Sequence, residues 1–435
     1  MRPAARIASA IDILARLEAE DRPADGLIRG VFRANRYIGA KDRRAIGDLV
    51  YGVLRHSARL DWWLSRAQVG AGGARGRVLA ELTLAQGLGG AEIASLFDGD
   101  TYHPPPLESA ERALLEQLDG AELDHTEQPD WVRLEVPEWL LPGLREALGD
   151  DQEILALGHT APLDLRVNLL KAERAAVRQA LAEEGIESAP TPFSPWGLRV
   201  TARHALPALK AFRDGLFEVQ DEGSQLVALL SDARPGLSVA DLCAGAGGKA
   251  LALAMTQGGE GRLVALDLDA RRLERAGPRL ARAGVDFVET RVLVDGDPWL
   301  DQEAGSFDRV LVDAPCSGSG AWRRQPDARW RLTAARLEQY TQSQAEILRI
   351  AAGLLRPGGR LIYATCSLLP PENRDQATTF LTERPDYRAL PLGDLWREQL
   401  ETPYPGDECP ALLLTPLRHG TDGFYLAVFQ RKVGP

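Results

Sequence analysis

The sequence predicts an α/β protein whose carboxyl-terminal half is a parallel, doubly wound sheet, preceded by an all-α segment and a small α/β module. Three observations carry this. Beyond residue 215, short β-branched or aliphatic runs alternate with helix-length segments, the pattern of a parallel sheet with crossover helices. A glycine-rich turn closes the first of those runs. Two cysteines in matching contexts close two others, Cys316 in Val312-Asp313-Ala314-Pro315-Cys316-Ser317 and Cys366 in Tyr363-Ala364-Thr365-Cys366-Ser367.

Taken in order, residues 4–125 read as helices. Ile7, Ile11, Leu14 and Leu17 recur at helical spacing, as do Ile46, Leu49, Val50, Val53 and Leu54, with Arg and Asp on the other faces. Residues 1–130 form one expected domain, and 126–130 its exit linker. A small α/β module is expected over 131–215, with a strand at 164–168, a helix at 174–184 and a Pro-rich stretch at 190–195. The third domain, 216–435, contains strands at 238–242, 263–267, 309–312 and 360–364 and helices at 270–283 and 334–355.

The composition narrows the function classes. With 45% hydrophobic residues and no run approaching the ~18 apolar residues of a membrane span, the chain reads as soluble and cytoplasmic. Four cysteines in 435 residues make no disulfide framework, and neither their spacing nor the six histidines suggests a metal site. A net charge of -11 argues against indiscriminate polyanion binding, yet residues 1–60 hold 12 Arg plus Lys against 7 Asp plus Glu. The amino-terminal segment, Arg43 and Arg44 above all, is therefore the expected phosphate-contacting face, unless those arginines only solvate a helix.

In Asp241-Leu242-Cys243-Ala244-Gly245-Ala246-Gly247-Gly248-Lys249 a strand ends, glycines follow, and a helix begins. Free backbone N–H groups at a helix start favour an anionic group. Asp267, about 20 residues further at the end of the next strand, is placed to hold ribose hydroxyls. The motif fits NAD and S-adenosylmethionine alike. A P-loop is disfavoured because Ala250 stands where a magnesium-binding hydroxyl is needed.

Cys316 and Cys366 each fall just past a strand's carboxyl end, the edge of an open α/β sheet where ligands bind. Both are read as reactive thiols, with Asp313 three residues before the first; Cys243 and Cys409 are read as packing residues.

These residues resemble the RsmB and Sun/Fmu family of S-adenosylmethionine-dependent RNA cytosine-5 methyltransferases. The sequence from Asp241 to Lys249 is similar to that family's D-x-C-A-A-P-G-G-K, the sequence from Asp313 to Ser317 to its D-A-P-C-S, and Thr365-Cys366-Ser367 to its T-C-S. Arg323-Arg324-Gln325-Pro326-Asp327-Ala328-Arg329-Trp330 is similar to R-R-x-P-D-x-x-W. Further similarities are Arg166-Val167-Asn168, Val219-Gln220-Asp221 and Asp422-Gly423-Phe424-Tyr425, and residues 41–55 resemble a NusB-type helical RNA-binding domain.

The resemblance implies a Rossmann-like methyltransferase domain acting on ribosomal RNA, expected to be 16S. Cys366 would be the nucleophile at cytosine C6, and Cys316 would assist proton removal and release. Asp313 and Lys249 would meet the ring edge. Cys243, Ala244, Gly245, Ala246, Gly247, Gly248, Lys249, Asp267, Asp295 and Asp313 would hold S-adenosylmethionine. Arg43, Arg44, Asn168, Arg323 and Arg324 would contact RNA, the amino-terminal residues serving affinity more than chemistry. No metal and no membrane partner are expected, and the default oligomeric state is a monomer. Three departures from the family pattern stand out: Gly245-Ala246 for Ala-Pro, which removes proline's fixed φ; Ala250 for a hydroxyl residue; and Asp297 for arginine. A nucleotide-binding oxidoreductase is the alternative from the glycine turn, though it leaves the thiols without a role. A non-catalytic ribosome-assembly factor is the alternative from the altered turn.

Overall fold

The computed structural model describes residues 1–201, 206–407 and 410–434, so Cys409 lies outside the described residues. The chain divides into two compact units, Met1–His159 with Trp322–Leu332, and Thr160–Ala321 with Thr333–Pro435.

The first unit is helical: Pro3–Ala19, Ala24–Ala34, Ala40–Arg55, Ser57–Ala67 and Gly73–Ala80 lead a series of shorter helices. The apolar stripes read from sequence face inward, with Ile7, Ile13, Leu14, Ile46, Leu49, Val50 and Val53 in one core. Gly52 leaves room there for a buried carboxylate: a Cβ would lie 2.5 Å from Oε1 of Glu81. That carboxylate also meets His56 Nδ1 at 2.8 Å, next to a single π-helical turn, Glu81–Ala85. Trp322–Leu332 packs within this unit although its sequence neighbours belong to the other. Trp322 and Arg329 are fully buried, and the Arg329 guanidinium donates to the carbonyls of Glu135 (2.7 Å) and Leu157 (3.2 Å). Trp330 helps line a cavity of 590 Å³ with Leu14, Val53, Trp62 and Trp131.

The second unit holds two sheets. Four short strands, β1 (Leu163–Val167), β2 (Ser188–Pro190), β3 (Gly197–Val200) and β4 (Phe217–Val219), pair antiparallel in the order β2-β3-β1-β4. The larger sheet contains β5 (Ser238–Asp241), β6 (Arg262–Asp267), β7 (Val288–Val292), β8 (Phe307–Asp313), β9 (Leu355–Thr365), β10 (Tyr387–Ala389), β11 (Ala411–Leu414) and β12 (Phe424–Arg431). Its order is β10-β12-β9-β8-β5-β6-β7, with β11 also paired to β12. From β7 to β9 it is parallel; β12, β10 and β11 add an antiparallel edge that the sequence reading did not extract. Strand order reverses at β5, which has β6 on one side and β8 on the other, so a switch-point crevice opens beyond Asp241 and Asp313.

The helix expected over 270–283 is two helices, Ala270–Glu274 and Ala276–Ala283. Pro278 explains the break, because it has no N–H to offer the carbonyl four residues back. No helix among the described residues is long and apolar enough to cross a membrane.

Candidate active site

The glycine turn is folded by its sequence and pinned by arginines. Gly245 (φ +54°) and Gly247 (φ +75°) take left-handed conformations, and a Cβ on Gly247 would lie 2.9 Å from that of Ala276. The Gly245 N–H donates to Asp267 Oδ2 at 2.7 Å, and Asp269 N–H donates to Oδ1 at 2.8 Å. Each Asp267 oxygen thus keeps a lone pair for a ligand hydroxyl. Arg279 donates to the Ala246 carbonyl (2.6 Å) and Arg166 to that of Gly248 (2.7 Å). These bonds supply the rigidity that the missing proline would have given. The three lesser motifs converge beneath this turn. Arg166 also reaches Gln220, and Asp221 both caps the helix Glu222–Leu230 and accepts from Asp422 N–H at 3.0 Å.

Asp241 ends β5 fully buried, and neither of its oxygens makes a hydrogen bond of normal geometry. Burial foremost, then the nearby Asp313 charge, pushes its pKa up to about 7, against the opposing pull of Lys249. Asp241, Asp267 and Asp313 crowd the crevice with carboxyl groups. Carboxyl groups in this number fit a cationic ligand such as S-adenosylmethionine better than a pyrophosphate.

The thiols meet on the other side of the switch point. Cys316 follows β8, Cys366 follows β9, and their sulfurs are 3.4 Å apart, both partly exposed. The contact with Cys366 first, and burial second, holds the Cys316 thiol well above its ordinary range. Lys249 reaches across from the glycine turn, its Nζ 2.6 Å from Asp313 Oδ2 and 5.4 Å from the Phe424 ring centre. The loops are stitched together by Gly320 N–H to the Cys366 carbonyl and Gly423 N–H to the Gly320 carbonyl, both 2.9 Å. Cys243 is pushed upward by burial, then by Asp241, as suits a packing thiol.

Other expected residues are placed elsewhere. Asp295 is exposed on the turn after β7. Asp297, the departure from the family arginine, is buried, pairs with Arg291 at 2.9 Å and caps the helix Pro298–Gln302. Two expected RNA contacts need correction. Asn168 is 7% exposed, and its amide is taken up by the carbonyls of Gly215 and Ala283 and the N–H of Leu170. The Arg323 side chain is buried too, and its carbonyl accepts from Arg55 at 2.9 Å. Arg43 spends its guanidinium on the carbonyls of Ile38 and Phe32, whereas Arg44 is exposed and Arg324 half-buried. Glu372, Asn373 and Arg279 were missed in the sequence. Pro370-Pro371-Glu372-Asn373 just after Cys366 was a readable signal for the first two; nothing marked Arg279. The described residues contain no cluster of three or more His, Cys, Asp or Glu that could hold a metal.

A switch-point crevice with a glycine turn, a ribose-ready acid and paired thiols defines a methyltransferase of the S-adenosylmethionine-dependent class. Comparison with known proteins narrows it. A profile of the 16S rRNA methyltransferase RsmB/F family matches residues 228–430, and a profile of that group's ferredoxin-like domain matches 136–206. The ribosomal RNA small subunit methyltransferase B of Yersinia enterocolitica is 32% identical over 85% of this chain and 90% of its own length. That of Pasteurella multocida is 37% identical over 68% of this chain, a match that spans 65% of the relative. A solved structure titled PH0851 superimposes with a TM-score of 0.77 at 25% identity, covering 99% of each chain. The chain belongs to the RsmB/F family of methyltransferases.

Proposed function

We propose that this protein methylates C5 of a cytosine in ribosomal RNA, most directly the small-subunit RNA named for its relatives. One observation carries the reading: two thiols 3.4 Å apart at the switch point, across from a cofactor turn bordered by Lys249 and Asp313.

S-adenosylmethionine, when bound, supplies an electrophilic methyl group and a positive charge. Cys243 through Lys249, with Asp267, would hold it, and Asp241 would face its charge. Cys366 as thiolate would add to C6 of the cytosine, moving an electron pair toward C5. Asp313 would hold the ring edge, and the Lys249 ammonium would stabilise the negative charge gathering there. C5 then takes the methyl group. The C5 proton would then pass to solvent, with Cys316 beside the ring assisting its removal, as the C6–sulfur bond breaks, restoring the ring and returning Cys366 as thiolate. The 3.4 Å separation of the two sulfurs supports dividing the two roles between them. Arg44, which is exposed, and Arg324, which is half-buried, would contact phosphate.

The test is direct. The purified chain is incubated with radiolabelled S-adenosylmethionine and unmodified small-subunit RNA, and the RNA is digested to nucleosides. Label in 5-methylcytidine supports the reading. Label in any other nucleoside, or none, sinks it.

A further inference from the structure

We infer that Glu372 is a positioning residue for this reaction: one buried carboxylate clamps the Cys316 loop to the Cys366 loop and so fixes the separation of the two sulfurs. The inference rests on the reading of Cys316 and Cys366 as the reacting pair.

Glu372 is fully buried in the short 3-10 turn Pro370–Glu372, a few residues beyond Cys366. A buried carboxylate is stable only when its lone pairs are filled, and here the filling groups flank the two cysteines. Oε2 accepts from the hydroxyls of Ser317 and Ser367, each at 2.5 Å. Oε1 accepts from the Ser317 N–H at 2.8 Å and from Gln344 Nε2 at 3.1 Å. Both serines directly follow a cysteine, so sharing a single oxygen brings their hydroxyls to 3.1 Å of each other. Strands β8 and β9 set the loops side by side, the Ser319 hydroxyl also meets that of Ser367 at 3.1 Å, and the Glu372 carboxylate is the charged group that gathers residues 317 and 367 onto one oxygen.

The clamp is itself braced. Gln344 donates also to the Pro315 carbonyl at 2.9 Å, from the other side of Cys316. Asn373 accepts from Thr365 Oγ1 (2.6 Å) and donates to the Ser367 carbonyl (2.8 Å), enclosing Cys366 on both sides. Tyr363 donates to the backbone carbonyl of Glu372 at 2.6 Å. Every bond in this network ends within two residues of a thiol or on the clamp. The Glu372 charge is also among the influences that hold the Cys316 thiol protonated, behind Cys366 and burial.

An amide in this place has one acceptor oxygen and a donor nitrogen, which cannot accept from two hydroxyls and two N–H groups together. The test uses the full-length chain carrying E372Q, E372A or E372D. Phenylarsine oxide probes the thiols: it forms two As–S bonds with a close pair and releases its oxygen as water, so capture reports sulfur separation without any methyl transfer. The C316A chain, in which Cys366 has lost its neighbouring thiol, supplies the background.

The expected result for E372Q is loss of arsenical capture and a fall in kcat on the order of 100-fold, the cost of roughly 1 Å of misplacement. KM for RNA and the Kd of S-adenosylmethionine should stay within about twofold, since such a change removes an interaction specific to the reacting geometry. E372D, which keeps the charge, should recover part of both signals. Wild-type capture and wild-type kcat in E372Q would overturn the inference. So would a parallel loss of cofactor binding and melting temperature in all three variants, which would reduce Glu372 to a fold-holding group. Were the RNA not methylated at C5 by the wild-type chain, the proposed function would fail, while arsenical capture would still decide the clamp.

Discussion

The sulfurs of Cys316 and Cys366 lie 3.4 Å apart although fifty residues separate them in sequence, because adjacent parallel strands end side by side beneath them. Adjacency by itself would suit a disulfide or a packing pair. What distinguishes this pair is its setting at the switch point, facing the turn that carries Lys249.

Cys366→Ala should lower methyl transfer by roughly four orders of magnitude or more, as loss of a covalent nucleophile does. The affinity for S-adenosylmethionine should change little, since the cofactor turn lies on another loop. Calorimetric titration beside a turnover assay checks both. Substantial turnover by the mutant would remove Cys366 from the nucleophile role.

Cys316→Ala should leave addition and methylation possible but stall release. A protein–RNA adduct that survives denaturing electrophoresis is then expected under turnover conditions. If no adduct forms and activity persists, Cys316 is only the neighbour that packs against the nucleophile.

The sheet and both thiols were legible in the sequence for one reason: buried parallel strands are short apolar runs, and Cys316 and Cys366 interrupt polarity where such runs stop. Asp267 was legible by its distance from the glycines. Strand β7 was not, because Val288-Glu289-Thr290-Arg291-Val292 is mostly polar where an apolar run was sought, and neither was the antiparallel edge, because no crossover helix precedes residues 424–431 to mark a strand. Asn168 and Arg323 were misjudged for a related reason. Polar side chains read as exposed unless the backbone carbonyls that will claim them are known, and Gly215 and Ala283 are remote in sequence. Arg166 and Arg279 likewise hold carbonyls of the glycine turn from positions that no local pattern connects to it.

Asp241 is expected to make cofactor binding pH-dependent. Its carboxyl titrates at about 7 in the folded chain against 3.8 ordinarily, so between those values the folded chain holds a proton that the unfolded chain has lost. The sign follows: its contribution to stability is fully present below 3.8 and lost as pH rises through about 7. A cation bound in the crevice favours the carboxylate, so binding S-adenosylmethionine should release a proton. Affinity should then rise by up to about tenfold per pH unit below neutrality and level off above it. Asp241→Asn should bind more weakly and flatten the curve. Calorimetry in two buffers of different ionisation heat measures the released proton directly, and a pH-independent wild-type affinity would exclude this linkage.

Removing residues 1–159 should lower turnover as well as weaken RNA binding. The sequence alone suggests that residues 1–130 serve affinity, with chemistry surviving at saturating RNA. The structure changes that expectation, because Trp322–Leu332, which follows the Cys316 loop in the chain, is folded into the first unit. There Trp322 and Arg329 are fully buried, and the Arg329 guanidinium is held by the carbonyls of Glu135 and Leu157. Burial pulls the pKa of that guanidinium down to about 10, so it is a group that tolerates its site only while those acceptors remain. Truncation exposes the tryptophan and frees the arginine in a segment that follows Cys316 directly in the chain. A fall in kcat on the order of 100-fold at saturating RNA is expected, together with a flatter salt dependence of binding as phosphate contacts disappear. Arg329→Met in the full chain separates the two effects: turnover should fall while the salt slope stays, because no exposed charge has been lost. A truncated chain that turns over normally at saturating RNA would show that residues 322–332 hold the Cys316 loop without the first unit.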